Sequence, residues 1–186
     1  MNNFRTDFRR LFFMQYYRDI CVAGVFLTIL PFKIKGQIKD SELAEASWAF
    51  PLIGMTIGAI SGGVFMLAYG SNLNPFFCAI ICVFVSILVT GGLHEDGLAD
   101  MADGFGGGSS RDEKLRIMRD SQVGTYGVIA LIFTILMRTV LLDSVAEPKL
   151  ILTAMILSGI MSRSLLPFIT FCFREARPDG LAAKFS

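Results

Sequence analysis

Residues 48–69 read WAFPLIGMTIGAISGGVFMLAY, 22 consecutive positions without a charged side chain. A helix needs about 20 mostly apolar residues to cross the hydrocarbon core of a bilayer, and this stretch meets that requirement alone. Three more come close: Pro75 to Leu93, Thr125 to Leu142 and Leu150 to Phe173. Only 18% of residues are charged, against roughly 25% in soluble domains, and those charges are segregated between the apolar stretches. An ordinary soluble domain is thereby excluded. Ile20 to Leu30 is a further apolar run, but its 11 residues end at Pro31. That is too short to span and points to a short re-entrant or interfacial N-terminal helix. The fold class expected is all-α: a polytopic membrane helix bundle with about four spans plus that short helix, all in one domain over residues 1–186.

Basic residues orient such a bundle, because cytoplasmic loops are enriched in Lys and Arg. Arg5, Arg9, Arg10 and Arg18 precede the first run, and Lys33, Lys35 and Lys39 follow it. Arg111, Lys114, Arg116 and Arg119 lie between the Pro75–Leu93 and Thr125–Leu142 stretches, and Arg174, Arg177 and Lys184 in the tail. These are 14 of the 17 cations, while the connection at residues 70–74 has none and that at 143–149 only Lys149. Four spans then place both termini and the segment 91–124 on the cytoplasmic side of the membrane. No small-residue cleavage site follows the first apolar run, so the N-terminus reads as retained. A net charge of +1 implies no general attraction to nucleic acid. Cys21, Cys78, Cys82 and Cys172 form no CxxC pair and read as small hydrophobic residues rather than a zinc set. Gly54-x-x-x-Gly58 permits close helix approach.

The chemistry is concentrated in residues 90–127, TGGLHEDGLADMADGFGGGSSRDEKLRIMRDSQVGTYG. Glu95, Asp96, Asp100 and Asp103 fall close together, and the three Asp stand at i, i+4 and i+7, within an arc of about 60° on one helix face. Packed carboxylates repel one another unless a cation neutralises them. Oxygen-only ligands suit Mg²⁺ or Mn²⁺. The residues between the acids are Gly97, Leu98, Ala99, Met101 and Ala102, not the Lys and Glu of a solvated face, so all four acids are expected as metal ligands. His94 is a general base, an outer partner of the acids or a helix-end residue, and Gly91-Gly92 breaks the helix just before it. The Gly-rich turn from Gly104 to Ser110 lacks the GK[ST] of a Walker loop. It either offers backbone N–H groups to phosphate or supplies flexibility. Ser110 then opens a short helix with acids in its first turn. It carries Arg116, Arg119 and Asp120, expected together at the substrate; the two arginines either clamp phosphate or form a basic face on anionic lipid. Arg163, near the middle of the last span, needs an anionic partner or a wet cavity. Arg138, closer to a span end, reads as snorkelling.

The string His94-Glu95-Asp96-Gly97-Leu98-Ala99-Asp100-Met101-Ala102-Asp103-Gly104, with Ile117-Met118-Arg119-Asp120-Ser121 and Gly124 behind it, resembles the cobalamin synthase family, the adenosylcobinamide-GDP ribazoletransferases. The similarity extends to Phe50-Pro51-Leu52-Ile53-Gly54, Ser162-Arg163 and Ala176-Arg177-Pro178-Asp179-Gly180-Leu181. It implies a late step of vitamin B12 synthesis, in which adenosylcobinamide-GDP meets α-ribazole or its 5′-phosphate and GMP leaves. The resemblance implies Mg²⁺ on Asp96, Asp100 and Asp103, with Glu95 beside them. Arg116, Arg119 and Arg163 would face the departing GMP, and His94 or a carboxylate would take the hydroxyl proton. Members of that family continue past this last motif into further membrane helices, which this chain, stopping at Ser186, is expected to lack. Homo-oligomerisation is left open.

Rival readings fit less well. A CDP-alcohol phosphotransferase expects Arg where Asp100 stands, and an Asp-rich prenyltransferase has fewer Gly between its acids. A cation channel or carrier would place acids at matching points of repeated halves, and the second half of this chain has no counterpart cluster.

Overall fold

The computed structural model describes residues 2–34, 36–145, 147–174, 176 and 180, with side chains from residue 13 onward except at Asp40. Arg177, Pro178, Asp179 and Leu181 of the C-terminal motif, and the cations Lys35 and Lys184, lie outside the described residues. Every described element is helical: α1 (Asn2–Leu27), α2 (Asp40–Glu45), a 3₁₀ turn (Ala46–Ala49), α3 (Phe50–Gly70), α4 (Pro75–Val89), α5 (Leu93–Gly107), α6 (Arg111–Ile117), α7 (Thr125–Asp143) and α8 (Pro148–Cys172). Three helical stretches are long and apolar enough to cross a bilayer: Ser41–Gly70, Thr125–Asp143 and Pro148–Cys172. Helix α7 leaves large apolar side chains in the open, Phe133 being 64% exposed and Ile132 and Leu136 55% each. A contiguous apolar face of that kind is stable against lipid rather than water, and the chain is an integral membrane protein.

The chain divides into two compact units, one of residues 1–59 and 154–186, the other of residues 60–153. In the first, the N-terminal helix is not short. It runs 26 residues, because the polar residues before the apolar run have partners. Arg18 grips Glu42 with two nitrogens, at 2.9 and 3.1 Å. Asp19 accepts from the Trp48 indole N–H at 3.0 Å, and Tyr16 packs edge-on to Trp48. Behind these contacts Cys21, Val22, Ala23 and Leu27 are buried, as are Ala46, Ala49 and Phe50. The Gly54-x-x-x-Gly58 expectation is met in the same unit. A Cβ on Gly54 or Gly58 would strike the α8 backbone at Gly159 or Met155, respectively.

In the second unit, the stretch expected to span from Pro75 to Leu93 does not run straight. Asn74 caps α4 by accepting from Phe76 N–H at 2.9 Å, with Pro75 at the first helical position. The helix stops at Val89 after 15 residues, about 22 Å at 1.5 Å per residue and short of the ~30 Å core. Gly91 and Gly92 have φ of 62° and 72°, a left-handed conformation that glycine adopts without steric penalty. They turn the chain by 90° into α5. The fourth expected span is therefore a broken pair, α4 and α5.

Candidate active site

Helix α5 carries the acids, and α7 determines how they are presented. The two run antiparallel: Glu95 near the start of α5 meets Arg138 late in α7, and Asp103 near the end of α5 meets the first turn of α7. The acidic helix thus returns along a membrane-spanning helix rather than trailing away from it. Arg138 does not snorkel. Its Nη1 donates to Glu95 Oε1 at 2.9 Å and its Nη2 to Ser86 Oγ at 2.6 Å.

The carboxylate of Asp103 is 8% exposed and accepts from Gly124 N–H at 2.7 Å and Gly127 N–H at 2.9 Å. The first N–H groups of a helix have no partner within it, and α7 has no capping side chain of its own. Asp103 fills that role from a neighbouring helix, where the dipole of α7 favours its charge. A Cβ on Gly124 or Gly127 would collide with this carboxylate. Asp103 is therefore held as a cap, whatever else it does. The signal in the sequence was a helix start with Gly rather than Ser, Thr or Asp at the cap and a second Gly three residues on.

The expected Gly-rich turn is largely helix, since α5 continues to Gly107. Its glycines serve close packing. A Cβ on Gly104 would meet Met118, and one on Gly106 the Tyr126 ring. Ser110 starts α6 as expected, accepting from Glu113 N–H at 3.2 Å. In return Glu113 Oε2 accepts from the Ser109 hydroxyl at 2.7 Å and its N–H at 3.0 Å. The hydroxyl first, then the N–H, holds the Glu113 carboxyl below the usual range. Lys114 Nζ lies 4.9 Å above the Phe105 ring, which folds α6 back over the end of α5.

Between α5, α6 and the first turn of α7 opens a cleft of about 620 Å³, lined among others by Asp103, Arg116, Arg119, Asp120, Gln122 and Tyr126. Four sequence-predicted residues, Asp103, Arg116, Arg119 and Asp120, are thus brought together. Asp120 Oδ1 accepts from Gln122 N–H at 3.1 Å and shapes the turn. Asp96 is exposed and Asp100 half-buried, one turn apart on α5. His94 is half-buried in the first turn of α5, nine residues and about 13 Å from Asp103 along the axis, and does not line the cleft. Arg163 belongs to the first unit, half-buried, its Nη1 donating to Ser162 Oγ at 2.9 Å. Among the described residues no three His, Cys, Asp or Glu converge as a metal-ligating group. Glu95 is held by Arg138 and Asp103 by the first turn of α7, and Asp96 and Asp100 stand one turn apart on α5 between these two contacts. Two carboxylates suffice for Mg²⁺, which is commonly bound by one or two together with substrate phosphates.

Residues 19–186 match the family model described as Cobalamin-5-phosphate synthase. The chain is 40% identical over 165 residues to an adenosylcobinamide-GDP ribazoletransferase of Bradyrhizobium diazoefficiens, covering 89% of this chain and 64% of that one. It is 39% identical to proteins of the same name from Mesorhizobium japonicum and Rhizobium johnstonii, covering 91% and 90% of this chain and 65% and 66% of theirs. It spans just under two thirds of the length of these relatives. No solved structure matches it.

Proposed function

The chain belongs to the cobalamin-5-phosphate synthase family, and we propose that it joins adenosylcobinamide-GDP to α-ribazole, or its 5′-phosphate, with release of GMP. The single observation that carries this reading is the cleft that sets Arg116 and Arg119 against the end of the acidic helix. The relatives' names supply the reaction; the cleft supplies the chemistry that a pyrophosphate substrate needs.

A ribose hydroxyl of the ribazole attacks the phosphorus bearing the cobinamide arm. A new P–O bond forms, the bond from that phosphorus to the bridging oxygen breaks, and GMP carries the bridging oxygen away. Arg116 and Arg119 bind phosphate oxygens, the planar guanidinium forks matching them in pairs, and stabilise charge as it develops on the leaving group. Asp96 and Asp100 would hold Mg²⁺, which supplies charge neutralisation on the pyrophosphate. We assign the hydroxyl proton to Asp120, which lines the cleft beside Arg116 and Arg119. The bias of basic residues supports a cleft that opens to the cytoplasm at a bacterial inner membrane.

Titrating the purified chain in lipid nanodiscs with adenosylcobinamide-GDP tests this reading. Affinity is expected to rise with Mg²⁺ and to fall at least about tenfold in an Arg116→Gln/Arg119→Gln double variant, the loss of about 1.4 kcal/mol or more of phosphate binding. Equal affinity in the parent and the double variant would refute the placement of the pyrophosphate in this cleft.

A further inference from the structure

Three helices meet at Arg138. From α7 its guanidinium reaches Glu95 on α5 and Ser86 on α4, one on each side of the left-handed Gly91-Gly92 break. Two glycines in succession give that break little rigidity of their own. The rotation of α5 beyond it must be fixed from outside. The Glu95 side chain is 16% exposed and that of Arg138 35%, and the second oxygen of Glu95, Oε2, is buried without a hydrogen-bond partner. A carboxylate in that setting tolerates its position only while its cation is present.

The opposite end of α5 is held by Asp103 on the first turn of α7, eight residues or about 12 Å away. A helix fixed at two such points against its neighbour can neither slide nor roll, whereas one fixed at a single point can roll. Asp96 follows Glu95 directly, and Asp100 lies between the two anchors. We propose that Arg138 is a positioning residue for the transfer reaction: through Glu95 it sets the roll of α5 on α7, and with it the direction in which Asp96 and Asp100 face. The inference rests on the reading above that these two acids serve the reaction. Arginine suits the role because its fork reaches acceptors on two helices at once, where a lysine ammonium offers no such planar geometry.

The test uses the full chain in nanodiscs in a Cys172→Ser background, with spin labels attached through Met101→Cys on α5 and Leu136→Cys on α7, both exposed positions. The parent should give one narrow distance distribution. Arg138→Met strands the Glu95 carboxylate and should broaden it. The Glu95→Met/Arg138→Met double removes the stranded charge but also leaves α5 with the Asp103 anchor alone, and should stay broad. In turnover, Arg138→Met should lower kcat about 10- to 100-fold, the order expected for misplaced catalytic groups, while KM for adenosylcobinamide-GDP moves little. The double should stay about as slow as Arg138→Met. An unchanged narrow distribution in Arg138→Met overturns the proposal. So does a double that regains the narrow distribution, since the stranded charge and not the lost anchor would then be the cause, or a rise in KM in place of the fall in kcat, which would put Arg138 or Glu95 on substrate or metal. A parent that releases no GMP would sink the proposed reaction, while the distance measurement would still decide whether Arg138 sets the roll of α5.

Discussion

Replacing Asp103 by Asn keeps the size of the side chain and removes its charge. The carboxylate accepts two N–H groups of the first turn of α7, at 2.7 and 2.9 Å, and is 8% exposed. The amide keeps one acceptor oxygen but turns an NH₂ group toward the second N–H. One charge-assisted hydrogen bond is lost, about 1.5–3 kcal/mol, and a donor is left facing a donor. Removing the negative charge from the helix N-terminus costs about 0.3–2 kcal/mol more. The expected destabilisation is therefore about 2–5 kcal/mol. Thermal unfolding of the purified protein in detergent should show a clearly lowered midpoint, while the Mg²⁺ concentration for half-maximal residual activity stays where it was. Gly127→Ala approaches the same contact from the other side, since its Cβ would displace the carboxylate and lie 3.1 Å from Ala99 O. It should lower the midpoint similarly. An Asp103→Asn protein with an unchanged midpoint and a tenfold weaker Mg²⁺ dependence would show that Asp103 is a ligand rather than a cap, and the reasoning would fail.

Asp96→Asn and Asp100→Asn should each lower turnover at least about 10²-fold, the scale of losing one preorganised electrostatic interaction, and weaken Mg²⁺ dependence. Ordinary turnover and ordinary Mg²⁺ response in Asp100→Asn would remove the metal from this helix. At Glu113 the Ser109 hydroxyl and N–H depress the carboxyl's pKa, so its contribution is complete above the ordinary glutamate range and is lost as pH falls through the lower folded value. Amide exchange at Ser109 should accelerate only in that acidic window, and Glu113→Gln should abolish the acid-dependent step. For topology, single cysteines at Ser71 and Ser109 should differ, with only the first reached by an impermeant reagent from outside the cell; labelling of Ser109 from that side would invert the orientation.

The spanning helices α3, α7 and α8 were legible in the sequence because uninterrupted apolar length is nearly sufficient evidence for them. The N-terminal helix was only half legible. Its apolar run marks one end, but the polar residues that extend it are stabilised by Glu42 and Trp48, which a local pattern does not connect to Arg18 and Asp19. The break after α4 was written in Gly91-Gly92, though not its 90° angle. Within the site, the i, i+4, i+7 stripe was plain, as was the basic α6 opposite it. The division of labour among the acids was not. Asp103 is committed by N–H groups 21 and 24 residues away, and Glu95 by a guanidinium 43 residues away. Carboxylates that look equivalent along one helix face are distinguished only by what the neighbouring helices bring to them.

The central claim is tested most directly by GMP release. The purified chain in nanodiscs, given adenosylcobinamide-GDP, α-ribazole and Mg²⁺, should form GMP and adenosylcobalamin in equal amounts, with Asp100→Asn and an Mg²⁺-free sample both at least about 10²-fold slower. A folded chain that releases no GMP under these conditions would contradict the account.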